Sequence, residues 1–263
     1  MLTAIVVTRN RVVLLRRALQ SLRTQNVGKI NILVIVDDCD STADFLALGG
    51  KDKFHPHVLK WVYKARTPKD RTGPIRLAAL RNFALSAVKT EFCCFLDDDN
   101  QLEPEHYSRL LECMPGHHAA HSWRSLWTRA GAPFPIVDKH PWCRDPELAS
   151  NLFMQYRNAG IYEANSNVVR DQVVLGCRAQ SMVDTSEWMF RSEFLQKIGF
   201  EAKYTAEDWE TSRCEDSKLL DKIVELGIKV PSTKSATLRY HMGGYSNEWS
   251  TEGAELNSWI SEP

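Results

Sequence analysis

An α/β fold with a doubly wound, mostly parallel sheet flanked by helices is what the sequence predicts, on three observations. Short apolar runs alternate with helical stripes over residues 1–115. The runs are continuously apolar, as strands covered on both faces are. Three of them end in polar or acidic residues, at the strand ends where an open α/β sheet collects its ligands.

The elements follow in order. Thr3–Thr8 reads as a buried strand, and Leu15, Ala18, Leu19 and Leu22 then recur at helical spacing, with Asn10 placed to cap the helix. Ile30–Val36 is a second strand ending in Asp37-Asp38, and Val58–Val62 a short third. Leu77, Leu80, Ala84, Leu85 and Val88 form a helical stripe ahead of a strand at Phe92–Leu96, which ends in Asp97-Asp98-Asp99-Asn100. Pro104 suits the first turn of another helix. Residues 116–180 loosen into Pro-, His-, Trp- and Asn-rich sequence in which no regular structure is read, and Trp123, Trp127 and Trp142 there are assigned to core. Regularity returns with a strand at Ser181–Arg191, a helix at Ser192–Ile198 closed by Gly199, a helix at Asp216–Leu226 stopping at Gly227, and a strand at Ala236–His241. The whole chain reads as one domain.

Composition narrows the function. At 43% apolar and 25% charged, with 13 Gly and 11 Pro, the chain is neither disordered nor collagen-like. Thirty-three basic residues balance thirty-three acidic ones, so no global field recruits nucleic acid or an anionic membrane. The longest apolar runs, Ile32–Val36 and Phe92–Leu96, fall far short of the ~20 residues that span a bilayer. Leu2–Val7 has no basic segment before it, which argues against a secretory signal. Seven cysteines without a C-x-x-C pair argue against a disulfide framework or structural zinc and for a reducing cytoplasm. Adjacent Cys93 and Cys94 read as core filler on opposite strand faces.

Charge is segregated. Residues 1–29 hold six bases and no acid, whereas 184–225 hold eleven acids against six bases. Arg16, Arg17 and Arg23 read as a solvated basic helix face. Three strand ends, Thr8-Arg9-Asn10, Asp37-Asp38 and Asp97-Asp98-Asp99, bring polar groups to one crevice. No G-x-G-x-x-G follows the first strand and no phosphate-binding G-x-x-x-x-G-K-[ST] occurs, which counts against dinucleotides and P-loop hydrolysis. Carboxylates gathered after a buried strand call for a neutralising divalent cation with hard oxygen ligands.

Taken together, Ala4-Ile5-Val6-Val7-Thr8-Arg9-Asn10-Arg11, Val36-Asp37-Asp38, Ala79-Leu80-Arg81-Asn82, Phe95-Leu96-Asp97-Asp98-Asp99, Met189-Phe190-Arg191 and the Glu215-Asp216 helix ending at Gly227 resemble the family 2 glycosyltransferases of GT-A fold. Order and spacing agree over residues 3–110 and 181–241. The resemblance implies a nucleotide-sugar-binding half (1–115), an acceptor-binding and catalytic half (116–242), and a tail or lid (243–263) with Gly243-Gly244 as hinge and Trp249 as anchor. It implies that Thr8, Arg9 and Asn10 meet the base and ribose, that Asp37 and Asp38 meet the base, commonly uracil, and that Arg76 and Arg81 approach the diphosphate. Asp97 matches the position near the ribose, with Asp98 beside it. Asp99 matches the metal ligand of the D-x-D, His241 a histidine that completes the metal site with Mn²⁺ or Mg²⁺, and Asp216 the general base. The activity implied is inverting, metal-assisted transfer of a sugar, UDP-linked by expectation, to a hydroxyl of a carbohydrate, lipid-linked, peptide or small-molecule acceptor. No nucleic-acid partner is implied, and peripheral membrane contact is compatible with it.

The chemistry asks for the same residue types. Departure of a nucleoside diphosphate builds negative charge that a divalent cation stabilises. An acceptor hydroxyl needs a carboxylate base, worth about 10²–10⁴-fold. Alternatives stay open: Asp216 as a helix cap, with Glu207 or Asp208 as the base; a nucleotidyltransferase, although Thr8-Arg9-Asn10-Arg11 lacks its glycine-rich loop; or a silent nucleotide- or sugar-binding module. Cys39-Asp40-Ser41 and Leu80 depart from the usual motif.

Overall fold

The computed structural model describes residues 1–47, 56–61, 73–210 and 213–244. Among these, the elements run β1 (Leu2–Thr8), α1 (Val12–Arg23), β2 (Ile30–Asp37), α2 (Asp40–Phe45), β3 (His57–Trp61), α3 (Gly73–Ala87), β4 (Phe92–Phe95), β5 (Gln101–Leu102), α4 (His106–Cys113) and β6 (Ala119–Trp127). They continue with α5 (Pro146–Asn158), β7 (Val168–Val169), β8 (Trp188–Arg191), α6 (Ser192–Ile198), α7 (Ala206–Glu210), α8 (Glu215–Glu225) and β9 (Ser232–His241).

One mixed sheet carries the molecule in the order β3-β2-β1-β4-β8-β6-β9-β5, with β7 on β6. The β3-β2-β1-β4 half is parallel throughout. Beyond it β8 pairs antiparallel with both β4 and β6, while β9 returns parallel to β6. The continuous apolar runs are explained by burial on both faces. Ala4, Val6, Val34, Val36 and Cys94 pack against α1 and α4, whereas Ile5, Leu33, Ile35, Cys93 and Phe95 pack against α3, α6 and α8. Cys93 and Cys94 fill opposite cores, as expected of neighbours in a strand. A third cluster, with Leu126, Phe153, Tyr162, Val169 and Tyr240, sits under α5 at the far end of the sheet.

Several elements differ from expectation. Asn10 does not cap α1; it lies at φ 51° in the left-handed region, and Arg11 takes the cap position without a side-chain bond. Ser181–Arg191 shortens to a strand at Trp188–Arg191, because the preceding residues form a short 3-10 turn closed by an Asp184/Glu187 capping box. Pro104 stands in the turn before α4, not within the helix. The stretch read as irregular contains β6, at the heart of the second half, and α5, which starts at Pro146 with Asp145 as its N-cap. Among the described residues no helix is long and apolar enough to cross a membrane.

Candidate active site

The carboxyl ends of β1, β2 and β4 open on one side of the sheet, and the side chains there are bound to one another in pairs. Thr8, at the end of β1, donates from Oγ1 to Asp98 Oδ2 at 2.7 Å. Arg11 donates from Nη1 to Asp98 Oδ1 at 3.1 Å and to Asp99 Oδ2 at 2.9 Å, so the loop after β1 is tied to the end of β4. At the end of β2, Arg76 from α3 grips Asp37 with a two-pronged bond, Nε to Oδ2 at 2.7 Å and Nη2 to Oδ1 at 2.6 Å. Asp38 follows at φ 43°, exposed, with its N–H on Trp61 O at 2.9 Å. Arg9 and Asn10 are exposed at the mouth, and Asn10 Oδ1 accepts from Ser41 Oγ at 3.2 Å.

Arg81 is the central cation. Buried on α3 between Phe95 and Phe200, it donates to Asp97 Oδ1 at 3.1 Å and to Glu215 Oε1, joining β4 to the start of α8. Burial works against its charge, but Glu215 and Asp97 more than offset it and raise its pKa. In return burial pushes Glu215 up to about 7 against the pull of Arg81. Asp97 keeps 37% of its side chain exposed and is the most open acid of the triple aspartate. Asp98 is buried with both oxygens engaged, by Thr8 and Arg11, and so holds the β1 loop in place. Burial, reinforced by Asp98, pushes Asp99 up to about 7.

Asp216 lies inside the first turn of α8, where Cys214 takes the cap position without a side-chain cap bond and Asp216 itself accepts a first-turn N–H. Its Oδ1 accepts from Cys214 Sγ and from Ser217 N, both at 2.6 Å. Asp208, the rival base, is bound by Lys218 at 2.7 Å and held down to about 2, first by that bond. A carboxylate so stabilised is a poor base at neutral pH. Glu207 is exposed on α7.

Whether these residues fit a divalent ion turns on charge and donor type. Among the described residues no three His, Cys, Asp or Glu converge on one point. Asp99 is nonetheless an under-compensated carboxyl, and an ion that bridges to substrate phosphates takes only one or two carboxylates from the protein. Burial and Arg17 hold His241 down to about 4, so its ring is neutral and able to ligate. That ring now faces Gln101 Oε1 at 3.0 Å and Thr128 O at 3.3 Å, while the His241 N–H donates to Asn100 Oδ1 at 3.0 Å. The donor set therefore fits an ion carried in with a diphosphate, with His241 beside the aspartates but turned to other partners.

The model of the family described as glycosyl transferase family 2 matches residues 3–199. The chain belongs to glycosyl transferase family 2. This family 2 glycosyltransferase also resembles solved structures at a level that shows the shared GT-A fold. S. aureus TarS superposes with a TM-score of 0.57 at 17% identity, over 93% of this chain and 37% of that one. Its fragment 1–349 in complex with UDP-GlcNAc gives 0.53 at 16%, over 98% and 60%. The mannosyltransferase PcManGT from Pyrobaculum calidifontis in complex with GDP-Man and Mn²⁺ gives 0.57 at 13%, over 94% and 58%. The chain thus spans between about a third and three fifths of these relatives' lengths. No curated protein matches it.

Sequence reasoning about this glycosyltransferase missed three contributors. Arg17, assigned to a solvated face, donates to the Asp99 carbonyl at 2.5 Å. Glu215 partners Arg81, and Arg11 pairs with two of the three aspartates. Only Arg11 left a local signal, a cation on the strand-end loop. The tail from residue 245, including Trp249, lies outside the described residues; Gly243 sits at φ 88° with its carbonyl bound by Arg129.

Proposed function

We propose that the chain transfers a sugar from a nucleotide-sugar donor, with UDP as the carrier, to a hydroxyl acceptor with inversion. The observation that carries the reading is Arg81: one buried cation joins Asp97, at the end of a parallel strand, to the Glu215-Asp216 turn, so the donor crevice and the base share one frame. In this reading residues 1–115 hold the donor, 116–242 the acceptor and the base, and 243–263 form a lid. Thr8, Arg9, Asn10, Asp37 and Asp38 line the nucleoside end. Arg76 and Arg81 balance the diphosphate, and Asp98 braces the loop. UDP and UDP-GlcNAc in the TarS structures, together with the family, support a uridine carrier, whereas GDP-Man in PcManGT keeps guanosine as the comparator.

Asp216 takes the acceptor proton through Oδ2 as the hydroxyl oxygen attacks the anomeric carbon and the diphosphate leaves from the opposite side. One displacement inverts that carbon. Asp99, with the neutral His241 ring, would hold Mn²⁺ or Mg²⁺, and Asp97 lies toward the ribose. Bound there, the ion supplies positive charge to the leaving diphosphate. Thiols that are all free support a reducing, cytoplasmic setting.

Calorimetric titration with UDP, GDP, dTDP and CDP, each with Mn²⁺ and with chelator, tests the proposal on wild type and Asp99→Ala. Metal-dependent binding of UDP that is lost in the variant is expected. Folded protein that binds none of the four overturns it.

A further inference from the structure

Behind the reaction centre three carboxyl groups share one guanidinium. Arg124, on β6, places Nη2 3.4 Å from Asp171 Oδ1, and Nη1 3.4 Å from both Asp184 Oδ2 and Glu187 Oε2. Asp171 and Glu187 are fully buried, and Asp184 keeps only an edge open. Trp142 and Tyr240 cover the guanidinium at 4.7 and 5.4 Å. Of the other titratable groups facing the cluster, His140 is held down to about 3 by burial and Arg124, and burial raises the Tyr156 and Tyr162 phenols. Asp97, Asp216 and Arg81 face it from the Asp184 side, and Arg178 faces Tyr156.

Were all three acids ionised, two net negative charges would be sealed from water, at a cost of several kcal/mol per ion. As carboxylates they are also short of donors, because both Asp171 oxygens and Glu187 Oε1 have no hydrogen-bond partner. One proton removes both difficulties. Glu187 lies within hydrogen-bonding reach of Asp171, and burial followed by Asp171 raises its carboxyl well above the usual range.

The same group reaches the reaction centre. Glu187 Oε2 accepts the Asp184 N–H at 2.6 Å, and Asp184 Oδ1 accepts the Ser186 N–H at 2.9 Å, which closes the 184–187 turn. Ser186 Oγ in turn accepts the Asp97 N–H at 3.1 Å. We propose that Glu187 is a buried carboxylic acid sharing its proton with Asp171, and that with Arg124 this pair is the positioning group that holds the Asp184–Glu187 turn, and through it Asp97, in place for sugar transfer. The positioning part rests on the transfer reading; the proton does not.

Infrared difference spectroscopy of wild type against Glu187→Gln reads the proton directly. A protonated-carboxyl carbonyl band at neutral pH that vanishes in the variant is expected, and its absence from wild type overturns the assignment. The glutamine still donates to Asp171 and accepts from Asp184, so Glu187→Gln keeps wild-type kcat. Glu187→Leu can do neither, and it loses about 10²-fold in kcat, the scale of a misplaced reacting group, and raises donor KM because Asp97 lies in the donor crevice. Wild-type kcat in Glu187→Leu, or an equal loss in the glutamine variant, overturns the positioning. Should the leucine variant not fold, Ser186→Ala cuts only the link to Asp97 and is expected to lower kcat and raise donor KM; an unchanged kcat overturns it. A wild type that binds no diphosphate and turns over nothing sinks the transfer reading while leaving the band to decide the proton.

Discussion

The two halves of the sheet treat charge in opposite ways. At the ends of β1, β2 and β4 four acids have an arginine to hand: Asp37 has Arg76, Asp97 has Arg81, and Asp98 and Asp99 share Arg11. In the second half Arg124 alone serves Asp171, Asp184 and Glu187, sealed behind Trp142 and Tyr240. Asp37, Asp98 and Arg81 are themselves buried, but Asp97 and Arg11 keep about a third of their side chains open, so pairs there can exchange a partner for a phosphate or a metal ion. A sealed cluster short of positive charge cannot, and its value lies in staying where it is. The first half is built to bind and the second to hold.

The largest effect expected concerns neither half alone but their meeting point. Asp216→Asn removes the base while keeping the shape and the Oδ1 bonds, so transfer falls by about 10²–10⁴-fold with diphosphate affinity unchanged. Turnover and titration on the same preparation check it, and a variant that turns over at the wild-type rate removes Asp216 from the chemistry. Next comes Arg124→Met, which strands three buried acids together and is expected to cost about 3–5 kcal/mol of unfolding free energy. Arg76→Met strands a single buried acid, Asp37, at a strand end; its loss is expected at about 1.5–3 kcal/mol and falls on diphosphate binding as well as on stability. Denaturant unfolding of both variants tests the ordering. Equal losses, or a larger one at Arg76, would erase the distinction between rim and sealed cluster.

What could be read from sequence divides along the same line. Strands β1, β2 and β4 announce themselves because both faces are buried by helices, so their apolar runs are unbroken and their polar ends stand out. β6 does not, since Ala-Ala-His-Ser-Trp-Arg-Ser-Leu-Trp carries His121, Ser122, Arg124 and Ser125 into the interior, where distant segments cover them. No local pattern says that Arg124 will meet Asp171 and Glu187. The start of α5 is legible in Asp145-Pro146, a cap followed by proline at the first helical position, but Pro133, Pro135 and Pro141 ahead of it mask it. The aspartates stand out by their place after strands and Arg81 by the resemblance of its helix, whereas Glu215 gains its role only from a partner far along the chain.

A buried group with no charge to balance sharpens the comparison from a third direction. His106, at the start of α4, is fully buried with Nδ1 2.8 Å from Thr237 Oγ1 and no partner for Nε2, and burial holds it down to about 3 from 6.5. Between those two values the unfolded chain binds a proton that the folded chain refuses, so stability is lost as pH falls, by at most about 1.4 kcal/mol per pH unit. The raised acids act with the opposite sign: burial lifts Glu215 to about 7 from 4.5, so between those values the folded chain holds the extra proton and stability falls as pH rises. His106→Gln keeps a donor for Thr237 and cannot titrate, so it is expected to flatten the acid side of the stability profile and leave the side near neutrality unchanged. Denaturant midpoints measured across the two windows separate the contributions. An acid slope identical in wild type and variant would mean that His106 opens to water before the fold gives way, and that its burial, unlike that of the Arg124 cluster, is local and easily undone.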